Sequence, residues 1–385
     1  MDRFGRKRVI TWKAGGLAIS LGCLIPLGFV KNAPIDAVLF FLFIALFSTT
    51  FTFDLMIFGI EQLPKNARDN YIVTLVATRV SGIAIVSVCF YLMTTWVYFV
   101  ILQLCLVLVL LAAFMRTVLE SPLQIMVASG NHDLCKFVVN SMAIINEEDI
   151  IRGKLAFPTE FDKEQRTLVN IVKNVVNSRG KLTTLAVLSV CWLAYTVSQM
   201  VHFIYLDRLE LNIFVDVIVL GATEFLAALL SKVLLKHMKR RTAFMMVCSF
   251  LLACFFFLMI FGFNDVQTRY VVTICTRGVL QIMYIALTVI TLEQFSTETR
   301  ASSTALCMSI GLLGGVGLAF VDGLSTSMLI GLLMLFATGA IGAFFIRETT
   351  DEPGLINHYS DILRSAENSA LDKLMRNDRE EEVPP

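Results

Sequence analysis

Long apolar stretches alternate with short polar segments along most of this chain. A helix needs about 20 apolar residues to cross the hydrocarbon core of a bilayer, and lipid requires every backbone polar group to pair within the segment. The stretches that meet this requirement lie near residues 9–30, 35–60, 71–93, 96–118, 183–205, 211–235, 242–263, 269–292, 301–322 and 325–346. The pattern therefore predicts an all-α polytopic membrane protein with ten transmembrane helices.

Composition agrees with this prediction and narrows the function. The chain is 56% hydrophobic and 16% charged, whereas soluble domains are about 45–50% apolar and about 25% charged. A net charge of +1 argues against nucleic acid as a partner. No phosphate-binding loop, catalytic constellation or metal-ligand cluster stands out in the sequence. We expect no enzymatic activity and no cofactor, and we expect the bilayer and a small solute as partners. The oligomeric state is left open.

Basic residues concentrate on one side of the predicted spans. That side holds Arg3, Arg6, Lys7, Arg8, Lys65, Arg68, Arg116, Lys232, Lys236, Lys239, Arg240, Arg241, Arg300 and Arg347, and the opposite loops hold Lys31, Arg208 and Arg269. Because cytoplasmic loops carry the excess of Lys and Arg, we expect both termini to be cytoplasmic in a multi-pass protein of the plasma membrane.

The spans divide into four and six around a polar segment. We expect a partial N-terminal half of four helices at 1–119 and a central cytoplasmic loop at 120–182. A C-terminal half of six helices at 183–346 and a cytoplasmic tail at 347–385 follow. Helical periodicity predicts short amphipathic helices in the central loop at 133–145 and 163–176.

The two halves also repeat each other. The basic segment 2–7 has a weak counterpart at 236–241, and the spacing from Glu61 to Arg68 recurs from Glu293 to Arg300. Each Glu and Arg pair falls at a junction of two predicted spans on the basic side. Matching order and spacing favour a parallel duplication over coincidence.

These motifs carry a family resemblance. The chain resembles the major facilitator superfamily, and within it the organic cation/anion/zwitterion transporters. The matching segments, in chain order, are Asp2–Lys7, Glu120-Ser121-Pro122, Asn212-Ile213-Phe214 with Thr223-Glu224-Phe225, Glu293 to Arg300, Gly314-Gly315 and Glu348-Thr349. The resemblance implies a secondary carrier whose ten spans correspond to helices three to twelve of a twelve-helix fold. It also implies that the first two helices are missing, through a short isoform, an incomplete gene model or real loss.

One departure from the family pattern leaves the substrate open. Leu312, just ahead of Gly314-Gly315, replaces the acidic residue common in cation carriers and the Arg common in anion carriers. The resemblance therefore implies transport of small organic ions or zwitterions without assigning their charge. A sugar porter of the same superfamily is one alternative, and a truncated, non-transporting regulatory membrane protein is another.

The resemblance and the charges together predict a gate on the cytoplasmic side. Basic side chains of the first motif can pair with carboxylates at span junctions when that side closes. The predicted gating residues are Asp2, Arg3, Gly5, Arg6, Lys7, Glu61, Arg68, Glu293 and Arg300. The alternative is that the basic residues anchor the protein to lipid phosphates.

Polar residues inside the spans predict a pathway for solute. A charge at the centre of a span costs roughly 2.5–3.5 kcal/mol on insertion scales, so each should face a cavity or a partner. The candidates are Arg79, Tyr195, Gln199, Glu224, Arg277, Gln281 and Tyr284, the last few of which continue as a polar stripe through Thr288 and Thr291. The alternative for any one of them is a hydrogen bond between packed helices.

Overall fold

The computed structural model describes residues 5–27, 44, 47–48, 51–63, 65–92, 95–122, 125, 132–145, 179–206, 213–261, 266–295, 299–319 and 326–346. Within these ranges the chain forms α-helices and one short 3-10 helix, with no strand. The prediction of an all-α protein is confirmed.

The first helices agree with the predicted spans in position. They are α1 (Arg6–Leu27), α2 (Phe51–Gln62), α3 (Lys65–Leu92) and α4 (Trp96–Thr117), followed by the shorter α5 (His132–Ile145). α2 covers the end of the span predicted at 35–60, most of whose earlier part lies outside the described residues. The second predicted amphipathic helix, at 163–176, also lies outside them.

The remaining helices belong to the C-terminal part of the chain. They are α6 (Arg179–Leu206), α7 (Ile213–His237), α8 (Arg240–Phe261), α9 (Val266–Gln294), α10 (Arg300–Ala319) and α11 (Thr326–Gly342), with the 3-10 helix at Ala343–Phe345. We refer to α1–α4 as the N-half and to α6–α11 as the C-half.

Several helices are long and apolar enough to cross a membrane. In the described residues there are seven of these, namely α1, α3, α4, α6, α7, α8 and α9, and α11 is a shorter apolar helix. Burial separates them into central and peripheral helices: 72% of the apolar stretch of α9 is buried, against 17% for α4. An apolar side chain that is exposed on such a helix faces lipid, which explains why α4 is almost entirely apolar. The protein is a multi-pass integral membrane protein.

Helices pack within the N-half, within the C-half and between the two. In the N-half, α1 packs on α2 and α4, and α2 packs on α3. In the C-half, α6 packs on α9, α10 and α11, while α8 packs on α9 and α11. The halves meet where α3 contacts α7 and α9, and where α2 contacts α10. One apolar core runs through both halves and includes Ile60, Val76, Trp192, Phe244 and Leu287.

Charged residues gather at one end of this bundle. Ion pairs there join the end of α2 to the starts of α1 and α10, and join the start of α8 to the start of α3 and the end of α9. We call this the charged end. Beside it, α5 packs Cys135 and Val138 against Ile125 and leaves Leu134 and Phe137 exposed.

Candidate functional site: an ion-paired end and a central cavity

The start of α1 is shaped by a glycine and a distant carboxylate. Gly5 has a φ of 90°, in the left-handed region that glycine tolerates best. The Glu120 side chain, which follows α4, accepts the backbone N–H of Arg6 at 2.9 Å and that of Lys7 at 3.1 Å. A Cβ at Gly5 would lie 2.7 Å from Glu120 Oε2. The glycine therefore admits both the turn and the carboxylate that caps the positive end of the helix dipole.

Arg6 and Glu61 form a buried ion pair within the N-half. Arg6 Nη2 donates to Glu61 Oε1 at 2.8 Å, and Arg6 Nε donates to Glu61 Oε2 at 3.0 Å. Both side chains are fully buried. This forked geometry is the strongest form of guanidinium–carboxylate contact. Lys7 instead points its ammonium at the backbone carbonyl of Met115, 3.1 Å away.

The C-half holds the corresponding contact. Arg240, at the start of α8, lies 3.6 Å from Glu293, at the end of α9. In the repeat, 236–241 corresponds to 2–7, so Arg240 occupies the position of Arg6 and Glu293 that of Glu61. Each half therefore joins the start of one helix to the end of another through equivalent residues.

Two further ion pairs cross between the halves. Arg240 Nη2 donates to both Asp69 carboxylate oxygens at 2.8 Å. Arg300 Nη1 lies 3.6 Å from Glu61 Oε1. Arg68, which corresponds to Arg300, donates to the Leu63 carbonyl at 3.2 Å. These contacts close the charged end in this structure.

The structure brings together most of the residues predicted as a gate. Gly5, Arg6, Glu61, Glu293 and Arg300 meet at the charged end, and Arg68 lies within electrostatic range of Glu61 and Glu293. Asp2 and Arg3 lie outside the described residues.

Sequence reasoning left out Asp69, Arg240 and Glu120 as members of this end. The alignment of 2–7 with 236–241 already set Arg240 opposite Arg6, so a signal for Arg240 was present. Asp69 directly follows Arg68, but nothing in the spacing showed that its partner would come from the other half.

A cavity of about 160 Å³ lies between the halves. α2 and α3 line one side, and α6, α9 and α10 line the other. The lining residues are Thr52, Phe53, Arg79, Trp192, Tyr195, Thr196, Tyr284, Met308 and Leu312. The position that bears on substrate charge in the family resemblance, Leu312, is therefore part of the wall.

Four aromatic rings form one cluster at this cavity. Phe53 of the N-half lies 5.5 Å from Trp192 and 5.9 Å from Tyr284, between ring centroids, and all three meet edge to face. Tyr195 lies 5.4 Å from Tyr284. Edge-to-face packing is the favoured geometry for aromatic pairs. The cluster holds α2 of the N-half against α6 and α9.

Arg79 bridges the halves beside this cluster. Its guanidinium carbon lies 4.6 Å from the centroid of the Tyr284 ring, a cation–π distance. Its Nη2 donates to Gln281 Oε1 at 3.5 Å. Of the predicted pathway residues, Arg79, Tyr195 and Tyr284 line the cavity, and Gln281 lies in contact with Arg79.

The other predicted pathway residues pair with one another. The Arg277 guanidinium donates to the carboxylate of Glu224 and to the side-chain carbonyl of Gln199, which joins α9 to α7 and α6. Farther along the stripe, Thr291 accepts a hydrogen bond from Trp192 Nε1 at 3.2 Å. The polar stripe of α9 thus reaches the cavity at Tyr284 and ties helices together on either side of it.

Comparison with known proteins assigns the family. The sequence profile of the Major Facilitator Superfamily matches residues 1–319. The chain belongs to the major facilitator superfamily. The fold and family are those of transporters, which bind small solutes within a membrane. A search of curated proteins found no match to the sequence of this chain.

Solved structures share the superfamily fold at low identity. One is the proton:xylose symporter XylE bound to 6-bromo-6-deoxy-D-glucose, with a TM-score of 0.70 and 13% identity over 90% of this chain and 82% of that chain. XylE from E. coli in a partially occluded inward-open conformation has a TM-score of 0.63 and 14% identity over 91% of this chain and 83% of that chain. The major facilitator superfamily transporter FucP in the outward conformation has a TM-score of 0.60 and 14% identity over 91% of this chain and 85% of that chain.

Proposed function

We propose that this chain is a secondary carrier for small organic ions or zwitterions and works by alternating access. The observation that carries the proposal is the cavity between the halves, beside an end closed by ion pairs that cross from one half to the other. Rocking of the halves about such a site would open it to each side of the membrane in turn.

The ion pairs at the charged end suit repeated opening. Leaving one charge of a buried pair without its partner costs about 3–5 kcal/mol. When the halves separate, Glu61 keeps Arg6 and Arg240 keeps Glu293, because those partners belong to the same half. Glu61 and Arg240 each have one partner in their own half and one in the other half, so both stay paired in either state. This lowers the free-energy cost of opening.

The same proposal gives the protein an orientation. The excess of basic residues at the charged end supports a cytoplasmic location for that end and for both termini. The motif resemblance supports membership in the organic cation/anion/zwitterion group and a place in the plasma membrane.

The lining of the cavity supports an organic ion over a sugar. Phe53, Trp192, Met308 and Leu312 contribute apolar surface, and Thr52, Tyr195, Thr196 and Tyr284 contribute hydroxyl groups, so hydrogen bonding alone does not separate the two. A charged side chain, Arg79, lies among them. The fixed positive charge favours an ionic solute, and the sugar porter is the second candidate. The solved sugar symporters resemble this chain in fold alone.

Uptake into cells that express the full chain tests this function. The solutes are phenylalanine, 3-phenylpropionate, phenethylamine, xylose and fucose, and surface biotinylation measures the amount of protein at the membrane. We expect saturable uptake of at least one charged aromatic solute and of neither sugar. Glu61→Gln and Arg300→Gln test the charged end. The control is Arg116→Gln, which removes an exposed cation that takes part in none of the described ion pairs. Sugar uptake alone would favour the porter, and no uptake despite surface expression would favour the non-transporting protein.

A further inference from the structure

One cation of the central cavity has only neutral groups as its immediate partners. Arg79 lies near the middle of α3, and its polar contacts are the Gln281 amide and the Tyr195 hydroxyl. Among the described ion pairs, none includes Arg79. Glu224 acts on it at longer range but is already paired with Arg277.

An anion from solution would complete this arrangement. A guanidinium stays charged under all physiological conditions, and a charge inside a span is retained where it serves a partner or a pathway. Arg79 is exposed rather than packed away, and it lines the cavity. Its donors are therefore available to a group that enters from solution.

The surrounding aromatic rings do not provide a cation site despite their number. Aromatic rings commonly bind organic ammonium groups through the ring face. Here the Arg79 guanidinium itself lies over Tyr284. A substrate ammonium at that ring would lie close to a fixed positive charge, and like charges at such short range repel.

We propose that the substrate carries a carboxylate, or an anionic group of the same shape, that binds Arg79. Its apolar or aromatic body packs against the surface that Phe53, Trp192, Met308 and Leu312 contribute to the cavity. The planar guanidinium matches a carboxylate with two parallel hydrogen bonds. This inference rests on the proposed carrier function and narrows its substrate to organic anions and to zwitterions that present a carboxylate.

Gln281 offers a sharp variant for testing this site. Its amide is 1% exposed and accepts from Arg79, so a neutral group occupies the place where a carboxylate would neutralise the guanidinium. Gln281→Glu changes the side chain by one polar group and supplies that carboxylate internally. It should compete with the substrate carboxylate for Arg79, whereas damage to the packing around Gln281 would lower the uptake of every solute alike.

The experiment compares solutes that share one aromatic body. Uptake of 3-phenylpropionate, phenylalanine, phenethylamine and 3-phenylpropanol is measured for the wild type, Arg79→Gln, Arg79→Lys, Gln281→Glu and the control Arg116→Gln, each normalised to surface protein. We expect carboxylate uptake to fall about tenfold or more in Arg79→Gln and Gln281→Glu, the loss of one charge-assisted contact. Arg79→Lys should recover part of it, and Arg116→Gln should leave it unchanged. Preference for phenethylamine, or carboxylate uptake that is indifferent to Arg79→Gln, would overturn the inference.

Two additional measurements distinguish a carboxylate site from a chloride site and binding from transport. Replacing chloride by isethionate tests for an inorganic anion: if it stops uptake of a neutral or cationic probe and Arg79→Gln removes that dependence, Arg79 binds chloride and the inference is wrong. Calorimetry on the purified full chain measures binding without transport. Binding of 3-phenylpropionate that Arg79→Gln removes, without uptake, would support the anion site and contradict the carrier function. Absence of both binding and uptake would contradict both.

Discussion

Asp69 and Arg240 join the two halves through a bifurcated contact in which one guanidinium nitrogen donates to both carboxylate oxygens, each 2.8 Å away. Asp69 lies on α3 and Arg240 begins α8, so this contact exists only while the charged end is closed. Arg240 is 5% exposed and the Asp69 side chain is 21% exposed, so the pair is partly protected from screening by salt. A substitution in this pair therefore tests the opening of this end directly.

Asp69→Asn should favour opening of the charged end. The substitution removes the charge that binds Arg240 and leaves Glu293 as its partner within the C-half. Thr304 is 2% exposed, one turn beyond Arg300, so Thr304→Cys in a background without reactive cysteines reports opening. We expect a hydrophilic thiol reagent to modify this cysteine roughly tenfold faster with Asp69→Asn, equivalent to about 1.4 kcal/mol in the equilibrium. Asp69→Glu is the matched control, and equal rates in all three proteins would contradict the role of the pair.

Gly5→Ala should destabilise the start of α1 for two reasons. Gly5 has a φ of 90°, and its missing Cβ leaves room for Glu120. A left-handed conformation costs an L-residue roughly 1–2 kcal/mol, and displacement of the cap adds about 1 kcal/mol. We expect a lower melting temperature for the purified protein. Gly22→Ala on the same helix, where no atom lies within 4 Å of the added Cβ, is the control. Equal melting temperatures for the two variants would refute the prediction.

Gly311→Ala should disturb the contact between α6 and α10. A Cβ there would lie 2.9 Å from the Trp192 carbonyl oxygen, and Thr196 Oγ1 donates to the Gly311 carbonyl at 2.5 Å. Overpacking of this kind costs about 1–3 kcal/mol, and it would also shift Trp192 at the cavity. Gly331→Ala on α11, with no atom within 4 Å, serves as the control. Thermal unfolding should separate the two variants, and a Gly311→Ala protein as stable as Gly331→Ala would show that α6 and α10 do not pack this closely.

The Cys135 thiol should resist alkylation at neutral pH. Burial beside Ile125 and Val138 raises the pKa of Cys135 from 9.0 to about 11. Because the thiolate is the reactive form, a raised pKa means a smaller reactive fraction at neutral pH and a rate that climbs until the pH approaches 11. Mass spectrometry after maleimide treatment measures this for the folded protein and for the denatured chain. Labelling of Cys135 at neutral pH as fast in the folded as in the denatured chain would contradict the packing of α5.

Much of the fold could be predicted from the length and spacing of apolar stretches. A span must be long enough to cross lipid and must pair its own backbone, so the predicted stretch at 96–118 and α4 (Trp96–Thr117) nearly coincide. The ends of helices depend on local caps instead. Glu120 caps α1 from 114 residues away in sequence, a contact that no local pattern contains.

The candidate site was predictable where the repeat constrained it. The matching Glu-to-Arg spacings predicted Glu61 and Arg300 as gating residues. In the structure Arg300 Nη1 lies 3.6 Å from Glu61 Oε1. The aromatic cluster at the cavity was harder to predict from the sequence. The chain has 30 Phe residues, and most positions on a membrane span face lipid. Only the packing of α2 against α6 and α9 distinguishes Phe53 from the others. The partner of Arg277 likewise depends on how α7 and α9 cross.

The distance between the halves at the charged end tests the carrier function most directly. Spin labels at Thr117→Cys on α4 and His237→Cys on α7, both exposed ends of helices, report it by pulsed electron paramagnetic resonance in lipid nanodiscs. Alternating access predicts a short distance in the closed state, and a second, longer population that grows with Asp69→Asn and shifts when a transported solute is added. A single distance that neither the variant nor any transported solute changes would contradict alternating access through this end.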